Sequence, residues 1–294
     1  MNKVGFIGVG IMGKSMVRNL MKAGFELHIY ARTKSKVEDV ISEGAQFHES
    51  IKDCVQDCDA VITIVGFPQD VEEVYFDEGN ILASAKEGAY LIDMTTTSPQ
   101  IAEKIYAEGT KRGFHVMDAP VTGGDTGAKA GTLSILVGGE KEDYEACMPL
   151  FEAMGTNINY QGKAGCGQHC KLANQIMIAG TLSGVCEALT YAKEQGLDPE
   201  VFMKSVATGA AGSKQLDTFG PKILKDDYAP GFFMKHFIKD MKLALIEANR
   251  KGLSLDVLSM VLANYEELEQ EGYGDLGTQA LMKFYDEEHR NTEE

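Results

Sequence analysis

The stretch "KVGFIGVGIMGKSMV" (3–17) restricts the fold more than any other part of the chain. A run of β-favouring residues leads into Gly8-x-Gly10-x-x-Gly13, and a helical pattern of apolar residues takes over from Met12. Gly8 permits a tight turn, Gly10 leaves the backbone bare, and Gly13 lets the helix lie close on its strand. Such a turn aims the free N–H groups of a helix start at one point, which suits a phosphate. In this strand–turn–helix setting the pattern predicts a doubly wound α/β domain that binds a dinucleotide. Gly8, Gly10, Ile11, Met12 and Gly13 are the expected contacts. The bland reading is a glycine-rich turn with no ligand.

The next 150 residues agree with that start. Strands are predicted at "KVGFIG" (3–8), "ELHIY" (26–30), "AVITIV" (60–65), "AYLIDM" (89–94), "FHVMD" (114–118), "TLSILVG" (132–138) and "NINY" (157–160). Helices at 12–23, 99–111 and 141–154 fall between them, the alternation of parallel winding. After Tyr160 the strand pattern stops. "QGKAGCG" (161–167) is a glycine-rich break, and helices follow at 168–195, 199–207, 236–251, 255–271 and 278–286. Two domains are therefore expected: an α/β Rossmann domain over 1–163 and an all-α domain over 164–294. A chain of 294 residues suits that division, because single cores stop growing at about this size. The acidic tail "YDEEHRNTEE" is expected to fray.

A net charge of −16 repels nucleic acid and anionic membrane, so neither is an expected partner. The same charge means that an anionic ligand needs a local basic patch. Six cysteines without a Cys-x-x-Cys pair argue against a disulfide framework. Cys166, His169 and Cys170 could suggest a metal, but read better as free thiols on a small-residue helix. With neither a signal peptide nor an apolar run of about 18 residues, the chain reads as cytoplasmic.

The end of the second strand bears on cofactor choice. An NAD site usually places an acid there for the ribose 2′-hydroxyl. This chain has "IYARTKSK", with Ala31, Arg32 and Thr33 in that place and Lys34 and Lys36 beyond. Arg32, Thr33 and Lys36 are the expected holders of a 2′-phosphate, so NADP(H) is preferred and NAD(H) remains possible. Solvated cations at a helix start are the alternative.

One lysine stands out further on. In "GCGQHCKLANQIMIAGTLSGVC" (165–186), Lys171 is the one formal charge between Lys163 and Glu187. Burying an ammonium on so apolar a helix is expensive without a function. Helical spacing puts Lys171, Asn174, Gln175 and Ile178 on one face, so an amine and a carboxamide share a volume. A lysine in a dry cleft has its pKa pulled toward neutrality and can exchange protons at working pH. A lysine snorkelling from a helix start is the other reading. "DAPVTGG" (118–124) offers Thr122, Gly123 and Gly124 as convergent donors for a carboxylate, or is a plain loop.

"GFIGVGIMG", "DMTTTSP" (93–99), "DAPVTGG", Gly165-x-Gly167-x-x-x-Lys171-Leu172-x-Asn174 and "FIKDMKLA" (237–244) occur in the order and spacing of the β-hydroxyacid dehydrogenases. The chain resembles that family over essentially its whole length. The family includes 3-hydroxyisobutyrate dehydrogenase, tartronate semialdehyde reductase and the glyoxylate/succinic semialdehyde reductases. The resemblance implies a 6-phosphogluconate dehydrogenase-like architecture with its active site in a cleft between two domains. It implies that Lys171 is the general acid/base and that Thr122, Gly123, Gly124, Asn174 and Gln175 hold the substrate. Thr96 would touch the cofactor near its nicotinamide ribose, Val65 and Pro68 would border the nucleotide, and Lys239 would reach the cofactor from the helical domain. On composition alone, Lys239 is equally a helix-surface charge. The implied partners are a small carboxylate-bearing substrate and further copies of the chain, as a homodimer or homotetramer. Gln175 stands where the family commonly has asparagine, Thr122 where it has serine, and Gly277 where aspartate is frequent; "TGAAGS" (208–213) resembles a pocket-lining stretch. The alternatives are an imine reductase on the same scaffold, against which Lys171 argues, and a non-catalytic NADP-binding module.

Overall fold

A computed structural model describes residues 1–285; the acidic tail falls, from residue 286 on, outside the described residues. The chain forms two compact units, Met1–Lys171 and the residues from Leu172 onward. The division between these units lies inside one continuous helix, Cys166–Glu194.

The first unit is built on a nine-stranded sheet: β1 Lys3–Ile7, β2 Glu26–Tyr30, β3 Gln46–His48, β4 Ala60–Thr63, β5 Tyr90–Asp93, β6 His115–Asp118, β7 Val121–Thr122, β8 Leu133–Gly139 and β9 Gly155–Gly162. Their order is β3-β2-β1-β4-β5-β6-β8-β7, with β9 paired to β8. The first six are parallel; β8 runs antiparallel to β6 and β7 and parallel to β9. The order reverses direction between β1 and β4, and in open α/β sheets the crevice outside the strand ends at that reversal takes the ligand. Helices cover both faces, so the central strands are apolar on each side. Ile62 and Ile92 belong to one core with Phe6, Met16 and Leu20. Val61 and Leu91, their neighbours in sequence, belong to the other with Val55, Val71 and Tyr75.

The second unit is helical. Its core repeats at three and four residues along three helices: Leu182, Cys186 and Leu189; Met234, Phe237, Ile238 and Met241; Leu258, Val261, Leu262, Tyr265 and Leu268. The Cys166–Glu194 helix is also, among the described residues, the one stretch long and apolar enough to cross a membrane, with a mean hydropathy of 1.2 over eighteen residues. The sequence pattern alone shows no such run, because scattered polar residues interrupt the apolar ones. Of that window, 44% is buried inside the fold.

Several boundaries differ from expectation. β3 and β7, of three and two residues, were too short to show an alternation. The helix expected over 141–154 is two, Lys141–Ala146 and Met148–Met154, because Cys147 and Pro149 break it. The helix Lys214–Ile223 has no counterpart in the sequence reading. Its Gly220-Pro221 pair reads as a turn, yet the Ser213 hydroxyl accepts from Leu216 N at 3.1 Å and starts the helix. The segment 278–286 is a 3₁₀ run, Thr278–Tyr285.

Candidate active site

The glycine turn at the end of β1 has a different reason for each glycine. Gly8 sits at φ +97°, and a Cβ there would lie 2.1 Å from the Ile64 carbonyl oxygen on the strand-end loop of β4. A Cβ on Gly13 would lie 2.1 Å from the Gly8 oxygen. Both are demanded by the protein's own packing. Gly10 is not: its Cβ position has no protein atom within 4 Å. It stands at the N-terminus of the twelve-residue helix Ile11–Lys22, where Ile11 is exposed, Met12 half-buried and no side chain caps the first turn. Bare backbone, open space and uncapped N–H groups fit a dinucleotide pyrophosphate.

The loops after β4 and β5 are tied together. Val65 N donates to Thr95 Oγ1 at 2.9 Å. Asp93, the last residue of β5, accepts from Thr63 Oγ1 at 2.7 Å and from Thr95 N at 3.1 Å. Full burial pushes the Asp93 carboxyl up to about 6, against those two hydrogen bonds; its Oδ2 has no partner. Thr96 lies half-buried on the same loop, and Pro68 opens the helix Pro68–Phe76.

Asp118 ends β6 in register with Asp93. Its carboxylate accepts from Gly165 N at 2.7 Å and Gln168 N at 2.8 Å, and so receives the first turn of the long helix. Burial raises its pKa in spite of those bonds. The Gln168 carboxamide is fully buried and reaches back to the β5 loop: Nε2 donates to Thr95 O at 2.7 Å, and Oε1 accepts from Thr97 N at 3.0 Å. Lys171, three residues on, is buried at 7% exposure. The sequence reading missed Gln168, Asp93 and Asp118 as site-building residues. Its available signal was that "YLID" and "HVMD" both end a strand on a carboxylate.

Thr122, half-buried, ends β7, and Gly123 and Gly124 follow at φ +130° and +65°, a pair of left-handed residues that other side chains would strain. In the second unit, Asn174 Nδ2 donates to Gln175 Oε1 at 2.8 Å, and Gln175 Nε2 donates to Asp240 Oδ2 at 2.7 Å. Lys239 Nζ faces Asp240 Oδ1 at 3.0 Å, an ion pair whose angles fall short of a hydrogen bond. Lys239 is thus a largely buried member of a polar chain rather than a helix-surface charge. Gln175 is occupied by Asp240, which leaves Asn174 as the more available carboxamide.

The basic patch after β2 is exposed and already paired. Arg32 bonds to Asp70 and lies 3.5 Å from Glu73, and the Asp70 contact raises the guanidinium pKa. Lys34 lies 3.6 Å from Glu49, while Thr33 and Lys36 are exposed. In the turn 208–213, a Cβ on Gly212 would lie 2.0 Å from the Ala207 oxygen, a packing reason for that glycine. Among the described residues, no group of three His, Cys, Asp or Glu side chains is placed to hold a metal.

Comparison with known proteins matches residues 3–162 to the NAD-binding domain of 6-phosphogluconate dehydrogenase and residues 165–285 to the NAD-binding domain of NADP-dependent 3-hydroxyisobutyrate dehydrogenase. A mitochondrial 3-hydroxyisobutyrate dehydrogenase-like protein of Arabidopsis thaliana is 44% identical, over 95% of this chain and 84% of its own. The NAD-dependent L-serine dehydrogenase of Pseudomonas aeruginosa is 34% identical, over 97% and 98%. The structure of Mycobacterium tuberculosis 3-hydroxyisobutyrate dehydrogenase with L-serine superposes with a TM-score of 0.89 at 27% identity, covering 97% of this chain and 99% of that one.

Proposed function

Because the chain belongs to the β-hydroxyacid dehydrogenase family, NAD(P)-dependent oxidoreductases of CH–OH groups, we propose that it interconverts a small hydroxyacid and its semialdehyde or keto acid, with Lys171 as the proton carrier. The bound nicotinamide supplies or accepts the hydride. The rest falls to this chain's residues. Lys171 gives its proton to the carbonyl oxygen in reduction and takes the hydroxyl proton in oxidation. Thr122, Gly123 and Gly124 hold the substrate carboxylate, and Asn174 orients the reacting end. Thr96, Val65 and Pro68 border the nucleotide, and Lys239 reaches it within the pairing range of Asp240.

The observation that carries this reading is a lysine buried at 7% exposure on a helix turn whose start is tied to the ends of β5 and β6. The relatives' names favour a 3-hydroxy acid, of the 3-hydroxyisobutyrate or L-serine kind. Arg32, Thr33 and Lys36 support a preference for NADP(H), with Arg32 exchanging Asp70 for the 2′-phosphate. The reading includes a homodimer or homotetramer in the cytoplasm.

The test is a substrate panel followed by nicotinamide absorbance: 3-hydroxyisobutyrate, L-serine, tartronate semialdehyde, succinic semialdehyde, methylmalonate semialdehyde, glyoxylate and a cyclic imine, each with both cofactors. Turnover of a carboxylate substrate, faster with the 2′-phosphorylated cofactor, is expected. Turnover of the imine alone, or of nothing, would refute the reading. Equal kcat/KM with both cofactors would remove the NADP preference.

A further inference from the structure

Where β6, β8 and the long helix meet, the backbones leave no room for a Cβ. A Cβ on Gly167 would lie 2.3 Å from Leu136 O and 2.8 Å from Asp118 Oδ2; one on Gly138 would lie 2.6 Å from Asp118 Oδ1. The helix start therefore cannot shift without moving the strand ends. At its centre stands Gln168, none of whose surface reaches solvent. Its own N–H goes to Asp118, and its carboxamide spends one donor and one acceptor on the backbone of a single loop, at Thr95 O and Thr97 N. Thr95 in turn donates its N–H to Asp93 and accepts from Val65 N on its hydroxyl. One side chain thus couples the helix turn that carries Lys171 to both loops beside the expected nicotinamide end of the cofactor.

We propose that Gln168 is the positioning residue of this enzyme, setting the distance between the Lys171 amine and the 95–97 loop so that proton and hydride reach the same carbonyl group. The inference rests on the reading of Lys171 as proton carrier. A fully buried glutamine is not needed to fill the volume, which a methionine would fill, and its two amide bonds are aimed at opposite polarities of one loop. Displacement of a reacting group by about 1 Å costs on the order of a hundredfold in rate, so a clamp of this kind acts on kcat more than on affinity.

Two substitutions separate positioning from packing. Gln168→Met keeps the volume and removes both loop bonds. Gln168→Glu keeps the acceptor for Thr97 N at every pH but can donate to Thr95 O only while protonated. The titratable groups nearest it along these contacts are Asp118, which accepts from its N–H, Asp93 beside Asp118 in register, Glu103 against Gly165, and His169 and Lys171 on its own helix. The acids and burial hold such a carboxyl above its ordinary range.

In Gln168→Met, kcat should fall roughly 10- to 100-fold, while the NADPH Kd, read by fluorescence, changes by less than about fivefold. Hydrogen exchange at the Thr97 amide should quicken at least about tenfold as its acceptor is lost. For Gln168→Glu, the ratio of its kcat to the wild-type kcat should climb about tenfold as pH falls from about 8 to about 5.5, because protonation restores the missing donor. A kcat within about threefold of wild type in Gln168→Met, an unchanged Thr97 amide, or a ratio flat in pH would each overturn the proposal. Lys171→Ala is measured alongside. If it keeps turnover, the proton-carrier reading fails and the inference with it. If it loses turnover while Gln168→Met keeps it, the positioning role alone fails.

Discussion

Gly8 and Gly10 stand two residues apart, and alanine at each should have opposite consequences. At Gly8 an added methyl meets the Ile64 carbonyl oxygen at 2.1 Å and its carbon at 2.7 Å, on a backbone at φ +97°. The left-handed conformation alone costs about 1–3 kcal/mol for a residue with a Cβ. The clash forces the end of β1 from β4 as well, so Gly8→Ala should lose at least about 3 kcal/mol of stability. At Gly10 the methyl meets nothing within 4 Å, and φ −87°, ψ −155° is extended backbone that alanine adopts. Gly10→Ala should therefore unfold like the wild type, or gain about 0.4–1 kcal/mol from a less flexible unfolded chain. The methyl does occupy the space over the start of the Ile11–Lys22 helix. Holding a pyrophosphate off those N–H groups should weaken NADPH binding about 10- to 100-fold, or about 1.4–2.7 kcal/mol. Urea unfolding of both variants and fluorescence titration of Gly10→Ala with NADPH make the comparison. Binding within twofold of wild type in Gly10→Ala, or equal destabilisation of the two, would refute the division between a glycine kept for packing and one kept for a ligand.

Two further outcomes follow from charge. The folded state holds the Asp93 proton up to about pH 6, while the unfolded chain releases it near its ordinary value of 3.8. This carboxyl therefore lowers stability as pH rises from about 4 to about 6, by about 3 kcal/mol in total. Asp93→Asn should flatten that fall in unfolding free energy; an unchanged slope would show that Asp93 is not its source. Asp70→Asn keeps an acceptor for Phe67 N, 2.9 Å away, and removes the charge that holds Arg32. The KM for NADPH should fall by up to about fivefold with NADH little changed, since the exposed pair is weak; a rise for NADPH would show that Asp70 assists the phosphate instead.

The parallel core of the first unit was legible because strands buried on both faces, such as "AVIT" and "YLID", are apolar throughout and sit between helices of clear period. What escaped depends on partners distant in sequence. β3 and β7 exist only because β2 and β8 lie beside them. The helix at Lys214–Ile223 survives an internal proline because Leu216 and Ile223 are held in the core. In the candidate site, residue type and spacing single out the glycine turn and Lys171. Gln168 could not: a glutamine has no chemistry of its own to betray it, and its partners Thr95 and Thr97 lie more than seventy residues earlier. The pairing of Gln175 with Asp240 was hidden for the same reason, since the two stand sixty-five residues apart.

The proposed catalysis depends on the proton carried by Lys171, and Lys171→Ala tests it most directly. With the best substrate of the panel and saturating NADPH, turnover should fall at least about a hundredfold, the NADPH Kd should stay within about threefold of wild type, and a small primary amine added to the buffer should restore part of the rate. Turnover within a few-fold of the wild type at the same NADPH affinity would contradict it.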